Sequence, residues 1–529
     1  MRRTLVSAVL MCTLMRAFAD VAVVTQHNNL SHTGANLSET NLTVANVNTN
    51  SFGLLGTFPV DDQIYAQPLV MTNVAIPGKG VHNIVYVATV NDTVYAFDAD
   101  DATATVPYWT NTFVSPPNIV PPNNADMSAL GACGGSYNDF SGNIGIVGTP
   151  VIDPDAGTIY MVARTKEFGT TYVQRLHALD IHTGQERANS PVVISATYPG
   201  NGDGSVGNVI AFDPIRGNQR PGLTLIKGVV YISWSSHCDM QPYHGWVIGY
   251  DATNLAQVVV YNDTPNGYEA GIWMSGEGIS ADTNGNLYLS DGNGSVGYNG
   301  NPRDTINRGE SILKLTRNGT NLTVASWFTP YNYQNLENGD IDLGSMGVIL
   351  IPGTTLAFSG GKQGVGYLLN RDNMGGLSTI SSDTNALQSI TLTSDQLHGG
   401  MVWWDGPGFS CGYIWPASVY LQQYKFDRVM NKFTLPVFAQ STSSAPGGQP
   451  GGILAVSANG TNAGSGIIWA SHQLTGNANQ SVRPGIIHAY NAQNVTNELW
   501  NSEQNSARDS VGNFAKFVPP TVANGKLYL

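Results

Sequence analysis

The densest run of chemically capable side chains is SSHCDMQPYHGW at residues 235–246, which holds His237, Cys238, Asp239 and His244. An imidazole titrates near neutrality and is a common metal ligand, so these residues could form an acid–base pair or a ligand set. Their spacing matches no established metal signature, and they read equally well as a disulfide-pinned loop whose histidines bond backbone. In EAGIWMSGE (269–277), Trp273 stands between Glu269 and Glu277. A Trp between two carboxylates suits either the floor of a planar-ligand site or packing between neighbouring sheets. Lys362 and Gln363 lie in GGKQG, which lacks the spacing and the Ser/Thr of a phosphate loop. DTNGN at 282–286 has Leu287 where a calcium loop needs Gly, and reads as a hairpin turn. Neither G-x-S-x-G nor H-E-x-x-H occurs, which argues against serine-hydrolase and zinc-protease chemistry.

These residues sit at the hinges of a repeated unit. VYVATVNDTVYAFD (85–98) alternates β-branched and aromatic residues about Asn91-Asp92, the period-two pattern of a β-hairpin. Further copies run over 159–180, 230–251, 287–315, 356–369, 413–426 and 467–491, at intervals of roughly forty to seventy residues. Short apolar runs precede them at 67–70, 149–153, 221–226, 346–351 and 452–456. Others follow at 192–194, 258–261, 324–328 and 435–438. Four strands per unit, arranged radially, is the pattern of a β-propeller blade. In a propeller, the turn between a blade's second and third strands shares a face with the connection entering the next inner strand. That face collects Asp92, Lys166, Glu167, His237, Asp239, His244, Arg303, Asp304, Arg308, Glu310, Lys362, Gln363, His472 and Arg483 from the turns. The connections add Gln63, Arg220, Glu269, Trp273, Glu277, Asp340, Asp342, His398 and Gln449. A tight hairpin needs only a few small residues, so hinges this long and charged exceed what the fold requires. Trp403-Trp404 reads as one core and one surface residue of a strand.

Composition agrees. Of 529 residues only 12% are charged while 60 are Gly, which predicts abundant turns and few long surface helices. A propeller grows by adding blades and stays one domain, here 20–529. The net charge of −13 argues against nucleic acid as a partner. Arg2 and Arg3, an apolar run over 5–15 and Ala17-Phe18-Ala19 have the parts of a signal peptide over 1–19. No other apolar run approaches membrane-spanning length, so the chain reads as a soluble, exported monomer. Of the three cysteines left, Cys133 and Cys238 fall in loops on one face and are expected to pair, leaving Cys411 free. The arm at 20–51 is turn-rich. Segment 52–60 reads as the outer strand of a closing blade that begins again at 517–529 and lacks its third strand.

The arm with Asn41-Leu42-Thr43 and Ala45-Asn46-Val47, then Gln67-Pro68-Leu69 and the hairpin at 85–98, resembles the opening of quinoprotein alcohol dehydrogenase-like proteins. Eroded copies of that superfamily's Ala-x-Asp-x-x-Thr-Gly-x-x-x-Trp docking motif follow. They are Ala96-Phe97-Asp98 with Trp109 displaced, Ala178-Leu179-Asp180 through Thr183-Gly184, Gly249-Tyr250-Asp251, and Ala489-Tyr490-Asn491 with Trp500. The resemblance implies an all-β, eight-bladed propeller of four-stranded antiparallel blades, the last shared between the termini. It also implies pyrroloquinoline quinone above the ring centre, a Ca2+ ion and an Asp base. The family's Cys-Cys dipeptide is absent, and no motif assigns its calcium ligands or its base. Three function classes follow. The first is a quinone-dependent oxidoreductase of alcohols or sugars. In it Arg220, Trp273, Arg303, Lys362 and Gln363 hold the cofactor, and the catalytic residue comes from His237, Asp239, His244, Glu269 and His398. The second is a non-catalytic propeller binding a glycan or protein through its loop face. The third is metal-dependent lyase or hydrolase chemistry on His237, His244 and His398. A cofactor site needs an aromatic plane and a cation near the axis, whereas a binding module can leave the axis plugged by apolar side chains.

Overall fold

The alternating runs fold as antiparallel hairpins, and each takes an inner and an outer strand to complete a four-stranded sheet. The computed structural model describes residues 20–529, and the expected signal peptide lies outside the described residues. Seven such sheets stand as blades of a β-propeller, with inner strands Leu69–Ile76, Val151–Asp153, Thr224–Ile226, Ser280–Ala281, Ile349–Leu350, Val402–Gly406 and Ile453–Ser457. The hinge insertion of the fourth blade separates Leu287–Ser290 from Ile312–Asn318, as its sequence predicts. The outer strand of the sixth blade is Ala439–Ser444 rather than 435–438. No described helix is long and apolar enough to cross a membrane.

Hydrophobic layers form between blades, not within them. One cluster joins Tyr86 and Trp109 of blade one to Ile159 and Met161 of blade two, and another joins Tyr160 of blade two to Trp234 and Trp246 of blade three. Both faces of a blade are therefore buried. This corrects the reading of Trp403-Trp404: the two rings point to opposite faces of the sixth inner strand, yet both are buried, because a neighbouring blade covers each face. Trp109 performs the docking anticipated for it, its indole N–H donating to the Ile181 carbonyl at 3.0 Å across the first blade boundary.

The ring holds seven four-stranded blades, not the eight expected. Between blades seven and one lies only the hairpin Thr521–Ala523 and Lys526–Tyr528. Segment 52–60, expected as an outer strand, forms no strand. Side chains hold it instead: Phe52 lies against Trp469 and Trp500, and Phe58 stacks on Phe97 at 4.8 Å. The hairpin's Val522 packs on blade seven and its Ala523 on blade one.

The turn-rich arm winds around the axis past the inner strands. The Val23 and Val70 backbones bond reciprocally, and the carbonyls of Val24, Leu30, Ser31, Thr33 and Gly34 accept from Ile152, Ala281, Leu350, Trp403 and Val456. Six of the seven inner strands are thus capped on their axial edge. Ala35–Asn36 then pairs in parallel with blade seven, and the Asn36 amide donates to Val522 of the hairpin at 2.9 Å. Capping satisfies N–H groups that would otherwise line the channel unpaired. Asn28, His32 and Gly34 take positive φ, which lets a short segment curve this tightly.

Gly34 has φ +65°, and a Cβ there would run into Val402, whereas Gly228 has φ +72° with open space around it. Gly228→Ala should cost about 1–2 kcal/mol from the left-handed backbone alone. Gly34→Ala should add about 1–3 kcal/mol of overpacking. Urea denaturation of both variants checks this, and equal losses would show that the arm is not clamped at Gly34.

Candidate axial site on the loop face

The connections entering the inner strands converge. Gly222 N–H donates to the Gly276 carbonyl at 3.1 Å, Ser275 bonds the Ser345 carbonyl, and Ser345 Oγ donates to the Leu397 carbonyl at 2.6 Å. These bonds tie together the run-ins of blades three, four, five and six. Across the axis, Gly276 also meets Phe517, which precedes the terminal hairpin. Side chains that stand just before inner strands are therefore brought together: Arg220, Asp342, His398, Lys516 and Phe517, while the Trp273 indole lies against Gly271 near Tyr243.

One side of the group is cationic. Asp139 accepts from Lys516 and, at 3.3 Å, from Arg220, so two cations share one carboxylate. Burial pushes the Asp139 carboxyl up, but Lys516 and Arg220 outweigh it and hold it below the usual range. Burial pulls Lys516 below the ordinary lysine value. The Arg220 guanidinium lies 4.5 Å from the centre of the Phe517 ring, and the His398 ring is 5.9 Å from it on centroids. His398 is fully buried with Nδ1 unpartnered. Burial, then the charges of Lys362, Arg220 and Lys516, lower it far below the ordinary imidazole range, so it is neutral. The indole N–H of Trp273 is likewise buried and unpartnered.

The other side is acidic. Lys362 bonds Asp342 at 2.6 Å and Asp340 at 2.8 Å, and those carboxylates overcome burial to raise its pKa. Around this single cation gather Asp239, Glu269, Glu310 and Glu337 as well. Burial, then Asp342, raises the Asp239 carboxyl to about 7, although Tyr243 donates to it at 2.6 Å. Burial also raises Glu269, which accepts from Gln241. Burial, then Asp342, raises Glu310 well above its ordinary value; its Oε2 accepts the Leu343 N–H at 2.8 Å and its Oε1 is buried without a partner. A half-buried carboxylic acid that titrates near neutrality can exchange a proton at working pH.

The two histidines of residues 235–246 lie elsewhere in the polar network. His237 is fully buried, with Nδ1 on the Tyr137 hydroxyl at 2.8 Å and Nε2 on Arg164 at 2.5 Å. Burial, then Arg164, keeps it neutral. His244 is held by Thr264 at 2.9 Å and by the Asp203 carbonyl at 2.8 Å. Both rings have each nitrogen engaged, and neither forms a ligand group with His398, which lies on Phe517. The disulfide joins Cys133 to Cys238 and pins this loop to the connection between blades one and two, while Cys411 is buried and free. Arg303 is exposed and donates to the Leu377 carbonyl at 2.8 Å, outside the axial group, and Gln363 is exposed, next in sequence to Lys362. Asp139, Lys516 and Phe517 escaped the sequence reading. For Lys516 and Phe517 the signal was their place immediately before an inner strand, equivalent to that of Arg220 and His398.

No family model matches the chain, and no curated protein matches it in sequence. Solved structures do match in fold. The quinohemoprotein alcohol dehydrogenase of Comamonas testosteroni superposes with a TM-score of 0.55 at 13% identity, over 94% of this chain and 74% of that one. A second quinohemoprotein alcohol dehydrogenase, from Pseudomonas putida, gives 0.54 at 13% identity over 96% and 75%. A europium-containing methanol dehydrogenase gives 0.54 at 13% over 94% and 87%. The chain therefore has the propeller fold of the quinoprotein alcohol dehydrogenases.

The raised proton affinity of Asp239 has a signed consequence. An unfolded Asp titrates near 4 and the folded one near 7, so ionising Asp239 costs stability as pH rises from about 4 to about 7. Asp239→Asn removes that cost. By urea denaturation the variant should exceed the parent in stability at pH 8 and equal it near pH 4. A difference independent of pH would show that Asp239 titrates normally.

Proposed function

We propose that this protein is an exported quinone-dependent oxidoreductase that oxidises small alcohols or sugars, with pyrroloquinoline quinone and a calcium-class ion at the loop-face end of the axis. The observation that carries this reading is the division of the axial group. A cation-rich side carries the buried, unpartnered His398 Nδ1, and beside it Lys362 pairs with Asp340 and Asp342 while the buried carboxyls of Asp239 and Glu310 stand close to the same cluster. A planar polyanion fits the first side. Arg220 and Lys516 carry one positive charge more than Asp139 neutralises. A hard cation fits the second, where Glu269 and Asp342 supply oxygen ligands and Asp239 is left as the base. The fold shared with quinoprotein dehydrogenases supports the same placement.

Bound there, the quinone would supply a two-electron, two-proton acceptor, converting an alcohol to a carbonyl compound while becoming the quinol. The chain's own part is electrostatic and acid–base. Arg220 and Lys516 stabilise negative charge that develops on an oxygen beside them. Asp239, ionised above about pH 7, accepts the substrate hydroxyl proton at a carboxylate oxygen, with Tyr243 orienting it. Neutral His398 and the buried wall around it exclude water. The apparent signal sequence and the Cys133–Cys238 disulfide support an oxidising compartment.

Titrating the purified protein with pyrroloquinoline quinone and Ca2+ should show saturable binding by cofactor absorbance and a rise in Tm. Arg220→Ala should weaken it at least about tenfold, the loss of one charged hydrogen bond. Asp239→Asn should bind the cofactor while losing alcohol-dependent dye reduction by about 100-fold or more. No binding with or without Ca2+ overturns the proposal.

A further inference from the structure

Below the loop-face group the axis holds three side chains that no catalytic reading uses. His27 and His32 come from the winding arm, and Glu277 comes from the connection into blade four. One ligand-capable atom of each lies within 4.8 Å of the others, and all three residues are buried, with relative exposures of 2%, 1% and 3%. They form the one such group among the described residues. Their polar atoms are left without partners. Neither ring nitrogen of His27 has a hydrogen bond, nor does His32 Nδ1, nor Glu277 Oε1. The nearest approach, His27 Nδ1 to Glu277 Oε2, is 3.8 Å and too long for a hydrogen bond. A buried carboxylate and two imidazoles facing one another without bonds would be costly if nothing lay between them.

From this geometry we infer that His27, His32 and Glu277 bind a divalent transition cation of the zinc class on the propeller axis. Two imidazole nitrogens and one carboxylate oxygen suit a borderline metal rather than Ca2+ or Mg2+, which take oxygen ligands. Ligand atoms around tetrahedral zinc lie about 3.3 Å apart, so closing the observed group needs movements of about an ångström. The surroundings are arranged for a ligand set. His32 Nδ1 is buried and free of any hydrogen bond, as a ligating imidazole nitrogen must be. Gly347 and Gly400, entering blades five and six, cradle the carboxylate, and a Cβ at either would collide with it. His27 and His32 both hold left-handed backbone, with φ of 51° and 55°. A cavity of about 620 Å3 lies on the face away from the loops. It is lined by Thr25, Asn28, Asn29 and Ser31, which flank the two histidines in sequence. The ion would fasten the arm to the ring at its centre, and this inference stands apart from the quinone reading.

The test uses the full chain, stripped with a chelator and titrated with Zn2+ alone. One zinc per chain should bind, raising Tm, and His32→Gln and Glu277→Gln should each weaken binding by about 100-fold or more. X-ray absorption of the zinc-loaded parent should show two imidazole ligands, and this readout stands even where a variant fails to fold. No stoichiometric zinc, an oxygen-only shell, or unchanged affinity in both variants overturns the inference.

Discussion

The pairing of the N-terminal arm with the axial edges of the inner strands is the contact on which the rest of this ring depends. An inner strand of two or three residues, such as Ser280–Ala281 or Ile349–Leu350, makes few ladder bonds of its own. Its inward edge would face a channel with N–H groups unpaired. Between Val23 and Asn36 the arm supplies an acceptor to one blade after another and then hands on to the terminal hairpin. It works as a belt around the inside of the ring.

That belt also decides what the axis can do. It occupies the end of the channel away from the loops and brings His27 and His32 beneath Glu277. Ionisable chemistry that needs solvent and substrate access is thereby left to the loop-face end. There the inner-strand run-ins deliver one or two side chains each, and the group assembled is polarised: Arg220 and Lys516 about Phe517 on one side, carboxylates about Lys362 on the other. In so dry an environment the partition matters more than any single residue. A charge whose partner is shared, as with Asp139, leaves a field that an anionic ligand can use.

The same low dielectric separates structural from chemical histidines. His237 and His244 are the more conspicuous in sequence, because they share a loop with a cysteine and an aspartate. Each has both nitrogens engaged by neighbours, so burial and bonding leave them nothing to offer. His398, His27 and His32 carry no local motif, yet each retains a buried nitrogen without a partner. Availability, rather than residue type, distinguishes the two sets.

By itself the sequence determined the blade. Alternation over 85–98 and its copies set hairpin, hinge and burial in period two, and the crowded loop face follows from which hinges share a side; that shared side favoured Cys133 with Cys238, and the structure made the pairing definite. Trp109 was legible as a blade-docking residue from its displaced motif. Those properties are local, or repeat at fixed spacing, and need no knowledge of the ring's radius. Tertiary structure alone decided that 52–60 pairs with no sheet and is held by side chains, Phe52 against Trp469 and Phe58 on Phe97. It also decided that both Trp403 and Trp404 are buried, since the second face is covered by a different blade. Lastly, it placed Lys516 beside Asp139 and His27 beside Glu277, residues hundreds of positions apart. No periodicity encodes such neighbours, because they meet only where every blade ends at the axis.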